Sequence, residues 1–450
     1  MSNIQHSDLI VIGAGPGGYE IATEQAAKGI SVTIIERGHF GGTCLNRGCI
    51  PTKCLSDAAA RLLAAAPAED TPRPYNDRWQ AARANTDSIV EALRTDVAAV
   101  IQQCNIVHGT AVITAQGTVQ VGDDQYSADR IIIATGSAPS SLDIPGADLT
   151  ITSDDLLHAD TLPPSIAIIG GGVIAMEMAD ILNAFGVNVT ILEYCPEILP
   201  AFEADVAKRL RSMLSRRGIK FVVGARVTAI CRDADGGILH LQYDDAKGRS
   251  AEVSAPVVLM AVGRKAVTPD GCADAGIDIN PRGFIVTDDN FATTRQGIYA
   301  VGDVNGKCML AHAATAQARK ALGTDVHLDV MPSAVFTHPE VAMVGITSET
   351  AKRNNIATVV GKAMYASSGK ARAMGATDGF VKVIADAADR KILGVHIIGA
   401  HASDIIDAAA TAIAAGMDTD TLGHKVIHAH PSLAELLGQA ARAADALLPR

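Results

Sequence analysis

Two short apolar runs, each followed by a glycine-rich turn, stand out in the pattern of hydrophobic and polar residues along the chain. The first lies within residues 8–18 and the second within residues 166–175. A stretch with helical spacing follows each turn, and then a second apolar run that ends in an acid, Glu36 in one unit and Glu193 in the other. This pattern predicts a buried strand, a helix and a second buried strand in each unit.

The two units share one spacing, because 23 residues separate the first glycine from the terminal acid in both. In such a unit the glycines permit a tight turn, close approach of a pyrophosphate and close packing of the helix on the strand. The helix N-terminus binds phosphate, and the acid binds the adenosine ribose. The repeat therefore predicts two dinucleotide-binding units, with binding residues Gly13, Gly15, Gly18 and Glu36 in the first and Gly170, Gly172 and Glu193 in the second. Glu193 would repel a 2′-phosphate, and residues 194–196 include no arginine, which favours NADH over NADPH.

Composition and charge narrow the class of protein. At roughly 150 residues per domain, the 450 residues predict about three domains, and 48% hydrophobic with 19% charged residues indicate a globular chain. Lysine and arginine total 38 against 49 for aspartate and glutamate, and the net charge of −11 argues against binding to nucleic acid or to an anionic membrane. No apolar stretch is long enough to span a bilayer. The N-terminus carries neither a basic region nor a cleavage site, so we expect a cytoplasmic protein.

Coarser features outline the rest of the chain. The proline-containing stretch 139–161 is expected to link the two units, and 284–304 returns to strand-like alternation. Residues 58–91 predict two helices around a loop at 71–75. From about residue 331 the pattern changes to antiparallel strands followed by alanine-rich helices, with candidate strands at 335–339, 379–383 and 392–398.

Two of the eight cysteines, Cys44 and Cys49, lie five residues apart just after the first glycine unit. On an ideal helix their Cα atoms would be about 8.7 Å apart, whereas a disulfide needs less than about 7 Å. A cross-link would therefore need a distorted segment, which Gly48 and Pro51 permit. Inert thiols and a zinc site are the alternatives, but the next cysteine, Cys54, is not followed by a second close-spaced pair. We therefore favour a redox-active pair over these alternatives.

The run GGTCLNRGCIPTK at 41–53, with one glycine unit before it and one after it, strongly resembles the flavin-dependent pyridine nucleotide-disulfide oxidoreductases of class I. Within that family it is most similar to the dihydrolipoamide dehydrogenases. The resemblance covers nearly the whole chain and extends to the motifs at 134–137, 298–303, 336–340 and 428–435.

The resemblance implies an α/β fold with two Rossmann-like domains, which bind FAD and NAD, and a C-terminal α+β dimerisation domain. The expected FAD-binding domain, with the cysteine pair, covers 1–146, and the NAD-binding domain covers 147–264. A central segment at 265–330 would complete the FAD domain. The dimerisation domain would cover 331–450.

The resemblance also assigns roles to individual residues. Noncovalently bound FAD would lie against the first glycine unit and Asp303. Cys49 would exchange electrons with the flavin, and Cys44 would exchange thiols with the substrate. Lys53 would lie near flavin N5 and pair with Glu177. The other expected cofactor-binding residues are Thr135, Gly136, Gly263 and His312, and no metal ligand is expected.

Thiol exchange is assisted by a base that takes up and returns a proton. His430 and Glu435 fit this role, because histidine has a suitable pKa and a carboxylate can orient its ring. His428 is the competing histidine, and the resemblance selects His430, which is followed by proline. The resemblance further implies that this pair reaches into the active site of the partner subunit. We therefore expect a homodimer with shared active sites.

The expected reaction transfers electrons from dihydrolipoyl groups, on a small molecule or a lipoyl domain, to the Cys44–Cys49 disulfide and through FAD to NAD. The sequence departs from lipoamide enzymes at Cys54 and at 309–317, where those enzymes usually have a lysine and a glutamate. One alternative is therefore an NAD(P)H-dependent reductase of glutathione or another low-molecular-weight disulfide. A flavin redox sensor without turnover is another. Mercuric and thioredoxin reductases carry a further C-terminal redox group, whereas the last cysteine here is Cys308.

Overall fold

The computed structural model describes residues 4–65 and 76–448, so the loop expected at 71–75 lies outside the described residues. The first strands are β1 Gln5–Ile12, β2 Val32–Glu36, β3 Asn105–His108, β4 Ala111–Ile113, β5 Val119–Val121 and β6 Asp124–Ile133. The first helices are α1 Pro16–Ala26, α2 Gly42–Arg47, α3 Cys49–Ala65 and α4 Asn76–Val100. The strands form a sheet of order β3-β2-β1-β6-β5-β4, in which β1 is parallel to both neighbours. Parallel central strands are covered on both faces, which explains their continuous apolar runs.

The second glycine unit builds a smaller parallel sheet of order β10-β9-β8-β14. Its strands and their neighbours are β7 Ser137–Pro139, β8 Ser165–Ile169, β9 Asn188–Glu193, β10 Lys220–Val223, β11 Arg226–Arg232, β12 Leu239–Asp244, β13 Ser250–Ala255, β14 Val257–Met260 and β15 Arg264–Ala266. The helices are α5 Ser153–Leu157, α6 Val173–Ala184 and α7 Ala204–Arg216. An antiparallel sheet, β11-β12-β13, was not anticipated from the sequence, and α5 lies inside the expected linker.

The two glycine turns have matching geometry. Gly13 and Gly170 both have positive φ, +99° and +106°, and a Cβ at either would collide with the carbonyl oxygen of the residue that directly follows a neighbouring strand, β6 or β14. A Cβ at Gly18 would collide with the Gly13 carbonyl, so only glycine fits there. In the second unit the corresponding position is Ala175, which is fully buried. The packing of α6 on its turn therefore accommodates the methyl group of an alanine at this position.

The third part of the chain is an antiparallel sheet of order β17-β18-β21-β20-β19 covered by helices. The remaining strands are β16 Ile298–Ala300, which pairs with β6, then β17 Ser333–Val335, β18 Glu340–Gly345, β19 Thr358–Met364, β20 Phe380–Asp386 and β21 Ile392–Gly399. The remaining helices are α8 Ala311–Ala321, α9 Ser348–Arg353, α10 Gly369–Ala373, α11 Ala402–Ala414 and α12 Glu435–Asp445. Among the described residues, no helix has the length and apolar character needed to cross a membrane.

Two of the three candidate strands of this part are confirmed, at 379–383 and 392–398. The candidate strand at 335–339 is wrong beyond residue 335, because 336–339 connects β17 to β18 and contains a cis peptide bond. The stretch 284–304 contains only β16 as a strand. The four-segment division of the chain stays a prediction, and the pairing of β16 with β6 agrees with its central segment.

A buried ion network joins the second unit to the third. The Lys382 ammonium on β20 donates to Glu203 at 2.6 Å and to Asp205 at 3.3 Å. Its cross-strand neighbour His396 is fully buried and bonds through Nε2 to the Ile346 carbonyl at 2.9 Å. Since a carbonyl only accepts, the ring carries its proton on Nε2, and Nδ1 has no partner among the described residues. Burial lowers the pKa of His396 and keeps its ring neutral.

We expect stability to fall as the pH falls below about 6.5, because the unfolded chain then binds a proton that folded His396 excludes. In His396→Gln, which keeps a donor for the Ile346 carbonyl, this part of the pH dependence should disappear. The difference between parent and variant should be on the order of 1 kcal/mol between pH 7.5 and pH 5.5. Urea unfolding followed by the fluorescence of Trp79, the single tryptophan, measures it. Parallel pH profiles would contradict this role of His396.

Candidate active site

A cavity of about 2150 Å³ runs between the first and second units and reaches the third. Most of the residues expected from the sequence to bind cofactors or substrate line it, namely Gly13, Gly15, Glu36, Cys44, Cys49, Lys53, Thr135, Gly136, Gly170, Gly172, Glu177, Glu193, Gly263, Asp303 and His312. Gly18 instead packs behind the first turn, against Gly13. His430 and Glu435 are not among the residues of their own chain that line the cavity.

The two glycine turns leave backbone donors free for phosphate groups. The N-cap residues of α1 and α6 are Gly15 and Gly172, which have no side chain that could cap the first N–H groups of these helices. Thr135 and Thr315 add buried hydroxyls that line the cavity and have no partner among the described residues. A buried hydroxyl without a partner is costly unless a ligand supplies one. The cavity therefore fits the dinucleotide cofactors expected from the sequence.

The carboxylates of the two terminal acids each accept a hydrogen bond from the backbone of their own glycine turn. Glu36 accepts hydrogen bonds at 2.7 Å from the backbone N–H groups of Ala14 and Gly38. Glu193 accepts from Gly171 and, at 2.5 Å, from the N–H of Cys195. Each acid therefore holds the backbone of the turn in place beside the position expected for the ribose.

One group of hydrogen bonds in the cavity was not predicted from the sequence. The Ser137 hydroxyl donates to Asp303 at 2.5 Å, and Arg264 donates to the Ser137 hydroxyl at 2.7 Å and to its carbonyl at 2.8 Å. Ser137 and Arg264 both lie in or beside motifs that the sequence singled out, but they are 127 residues apart. The contact fixes the carboxylate of Asp303, which is expected to bind the ribityl chain.

The cysteine pair lies where one helix ends and the next begins. α2 ends at Arg47, Gly48 takes a non-helical conformation with φ −144° and ψ −108°, and α3 begins at Cys49. This break supplies the distortion that a cross-link needs. A Cβ at Gly48 would lie only 2.9 Å from the Thr43 carbonyl oxygen. Pro51 is tolerated because it lies in the first turn of α3, where a missing N–H costs no helical hydrogen bond.

Both thiols are free, and they form a hydrogen bond with each other. That bond and, to a lesser extent, the charge of Lys53 lower the pKa of Cys49 to about 7 against the opposing effect of burial. The same bond, together with burial, raises the pKa of Cys44. At neutral pH the pair therefore favours a thiolate on Cys49 and a thiol on Cys44. A thiolate beside a lysine at a helix N-terminus is typical of redox-active cysteines.

Lys53 connects the cysteine helix to the second glycine unit. Its ammonium lies 3.0 Å from each carboxylate oxygen of Glu177, whose side chain is 6% exposed. The Lys53 Nζ also lies 4.3 Å from the ring centroid of Phe336. Because Glu177 lies on α6, five residues after Gly172, the ion pair joins the thiols to the second nucleotide site.

The acid-base pair lies on the surface of the third part of the chain. His430 Nδ1 lies 2.9 Å from a carboxylate oxygen of Glu435, and the Ser432 N–H donates to the other oxygen at 3.0 Å. The hydrogen bond from His430 lowers the pKa of Glu435. The His430 side chain is 81% exposed. Nε2 of His428, by contrast, is buried and packs against α12, so the structure favours His430 as the accessible base.

Comparison with known protein families shows to which family the chain belongs. The model of the pyridine nucleotide-disulphide oxidoreductases matches residues 7–318, and the model of their dimerisation domain matches residues 331–441. The chain belongs to this family. Its resemblance to the family and its α/β fold class, inferred from the sequence, are thereby confirmed, and FAD and NAD(H) are the cofactors of the family.

Individual relatives narrow the type of enzyme. Dihydrolipoyl dehydrogenase of Thermus scotoductus is 36% identical over 450 residues, which cover 97% of each chain. Dihydrolipoyl dehydrogenase 3 of Haloarcula marismortui is 34% identical over 97% of this chain and 96% of its own length. Among solved structures, the Cu(II) complex of the HOCl-induced flavoprotein disulfide reductase RclA of Escherichia coli superposes with a TM-score of 0.86 at 28% identity, over 98% of this chain and 99% of that one. The protein is a lipoamide dehydrogenase-type flavoprotein disulfide oxidoreductase.

The charge of Lys53 should be visible in the reactivity of Cys49. In the Cys44→Ser holoenzyme, whose serine hydroxyl keeps a donor beside Cys49, we expect half-maximal alkylation of Cys49 at a pH below the usual pKa of a thiol. Lys53→Gln should raise this midpoint by about one pH unit, because the cation is lost and the Glu177 carboxylate remains. Iodoacetamide labelling of the Cys49 peptide, quantified by mass spectrometry, measures the midpoint. The exposed Lys28→Gln is the matched control, and an equal shift in that variant would refute the local effect.

Proposed function

We propose that this protein oxidises dihydrolipoyl groups with NAD as the acceptor, through FAD and a Cys44–Cys49 disulfide. The observation that carries the proposal is that the thiol pair, the Lys53–Glu177 ion pair and the second glycine turn all line one cavity. FAD, when bound, would carry the electron pair between Cys49 and NAD. The bound FAD would contact the first glycine turn, Thr135, Gly136 and Asp303.

The overall reaction converts dihydrolipoamide and NAD⁺ into lipoamide, NADH and a proton. One substrate thiol loses its proton and attacks Cys44 Sγ, the Cys44–Cys49 bond breaks, and Cys49 leaves as a thiolate. The second substrate thiol attacks the substrate sulfur of the mixed disulfide, which closes the lipoyl ring and releases Cys44. A leaving thiol of low pKa departs faster. The lowered pKa of Cys49 and the nearby charge of Lys53 therefore suit Cys49 to this role.

The wall beside Cys44 supports a lipoyl substrate. Leu45 and Val97 form an apolar cluster onto which Leu93 and Ile50 pack, and all four line the cavity. Such a surface suits the hydrocarbon chain of a lipoyl group. Glu20 also lines the cavity and would repel the carboxylates of glutathione.

A second candidate is the reduction of a low-molecular-weight disulfide with NAD(P)H. The similarity to RclA, which is named a flavoprotein disulfide reductase, favours it. It uses the same thiols and runs the electron pair in the opposite direction.

We also propose that each active site is completed by His430 and Glu435 of the partner subunit. The match to the family's dimerisation domain supports a homodimer. The 81% exposure of the His430 side chain and the 96% exposure of Ile427 place a base and an apolar residue on a surface that a partner can cover. There His430 would take the proton of the substrate thiol, with Glu435 holding its ring. The expected cytoplasmic location stays a prediction.

Steady-state kinetics test which substrate and nicotinamide cofactor the enzyme uses. We expect kcat/KM for dihydrolipoamide with NAD to exceed that for NADPH with oxidised glutathione by at least about ten-fold. The physical reasons are the repulsion of a 2′-phosphate by Glu193 and of glutathione by Glu20. Cys44→Ser should abolish turnover, whereas Cys231→Ser, at an exposed cysteine, should not. A reversed ratio of the two reactions would favour the second candidate.

Mixing of inactive variants tests the shared site. Cys44→Ser and His430→Gln should each be inactive as homodimers. In a heterodimer one site combines wild-type Cys44 with wild-type His430 of the partner subunit, while the other site lacks both. Equal mixing with random reassociation should therefore restore about a quarter of parental activity. Absence of any recovery, with heterodimers demonstrated by native mass spectrometry, would mean that each site is built within one chain.

A further inference from the structure

The motif at 336–340 has no part in the proposed reaction, yet three parts of the fold meet at it. The Ser56 hydroxyl of α3 donates to the Phe336 carbonyl at 2.9 Å. The Phe336 N–H donates to Glu177 of α6 at 3.0 Å. At the other end of the motif, Glu340 accepts two hydrogen bonds of 2.8 Å from Ser403 at the start of α11. The segment is therefore held by both glycine units and by the third part of the chain.

Phe336 fixes the Lys53 ammonium from a second direction. The two oxygens of Glu177 hold Nζ at 3.0 Å, and the Phe336 ring lies 4.3 Å from the same atom. A cation above an aromatic ring is attracted by the electrons of its face. Cys49 and Lys53 are four residues apart on α3 and so lie on one side of that helix. The place of the ammonium relative to the Cys49 sulfur thus depends on Phe336.

A buried charge pair holds the segment from behind. Asp180 lies one turn beyond Glu177 on α6 and is fully buried. Its carboxylate binds Arg217 at 2.5 Å and accepts from the His338 backbone at 3.1 Å and from its ring at 2.7 Å. Arg217 also donates to the His338 carbonyl at 3.0 Å. Together they engage both backbone groups of His338, two residues from Phe336.

We propose that Asp180, Arg217 and Phe336 are positioning residues for the Cys49 thiol. Asp180 and Arg217 bind His338, and these contacts fix the position of Phe336. Phe336 and Glu177 then hold the Lys53 ammonium beside Cys49. The inference rests on the proposed function, in which Cys49 is the thiol that exchanges electrons with the flavin. Buried ion pairs often add little net stability and instead specify one geometry. Here the geometry specified is that of a cation next to a reactive sulfur.

The test is the pH dependence of Cys49 alkylation in the reduced Cys44→Ser holoenzyme. Phe336→Leu removes the ring but keeps both backbone hydrogen bonds, and it should lower the labelling rate at pH 6.5 about three-fold by raising the midpoint. Asp180→Asn should raise the midpoint as well. The sign is informative, because removal of a nearby anion acting only through its charge would lower the midpoint.

Two controls separate positioning from general destabilisation. Glu203→Gln disrupts another buried ion pair between the second and third parts of the chain, and it should leave the midpoint unchanged. In a Lys53→Gln background, Phe336→Leu and Asp180→Asn should cause no further shift, because they act through Lys53. An unchanged or lowered midpoint in Phe336→Leu overturns the proposal, and that variant decides the matter if Asp180→Asn does not fold. The readout needs no disulfide substrate, so failure of the lipoyl assignment leaves it unaffected.

Discussion

The Lys53 ammonium and the Glu177 carboxylate meet at 3.0 Å where the cysteine helix α3 packs against α6 of the second unit. The Glu177 side chain is 6% exposed, so its charge has lost most of its hydration. A buried carboxylate of this kind is tolerated only with a cation and further donors in place, and here Lys53 and the Phe336 N–H supply them. This requirement ties α3, α6 and the connection between β17 and β18 into one arrangement. The thiol pair and the second glycine turn depend on it, because Cys49 begins α3 and Gly172 directly precedes α6.

The thiol pair shows how a local break in a helix produces a chemical difference. Without the break at Gly48 the two cysteines would lie too far apart to bond, by the dimensions of a regular helix. With it, Cys49 begins α3 and Lys53 follows one turn later on the same side. The pKa values of the two thiols then differ, because Cys49 accepts the hydrogen bond that Cys44 donates.

The sequence predicts those features that local backbone geometry dictates. The two glycine turns could be recognised because Gly13 and Gly170 need positive φ and have no space for a Cβ, which leaves a fixed spacing in the sequence. The distortion between the cysteines could be recognised because a regular helix would hold them too far apart to cross-link and a glycine lies between them. Contacts such as Asp180 with His338 or Arg264 with Ser137 could not, because the partners are 158 and 127 residues apart and no periodic pattern connects them. The error at 336–339 has the same origin. Its residues have the composition of a strand, but Glu177 and Asp180 take the N–H groups of Phe336 and His338 that a sheet would otherwise use.

The two terminal acids show what equal sequence spacing leaves undetermined. Glu36 and Glu193 follow their glycines at the same distance. In each, one carboxylate oxygen accepts from a backbone N–H group of the glycine turn and the other from the N–H group two residues after the acid. Their position is thus fixed before any ribose arrives, and a ribose hydroxyl adds to bonds that already exist. In the proposed NAD site, discrimination by Glu193 would come mainly from its charge, since a 2′-phosphate would approach an anion that the surrounding N–H groups hold in place. Because Glu193 is 7% exposed, water would screen that repulsion poorly, and this one buried carboxylate would disfavour a phosphorylated ribose.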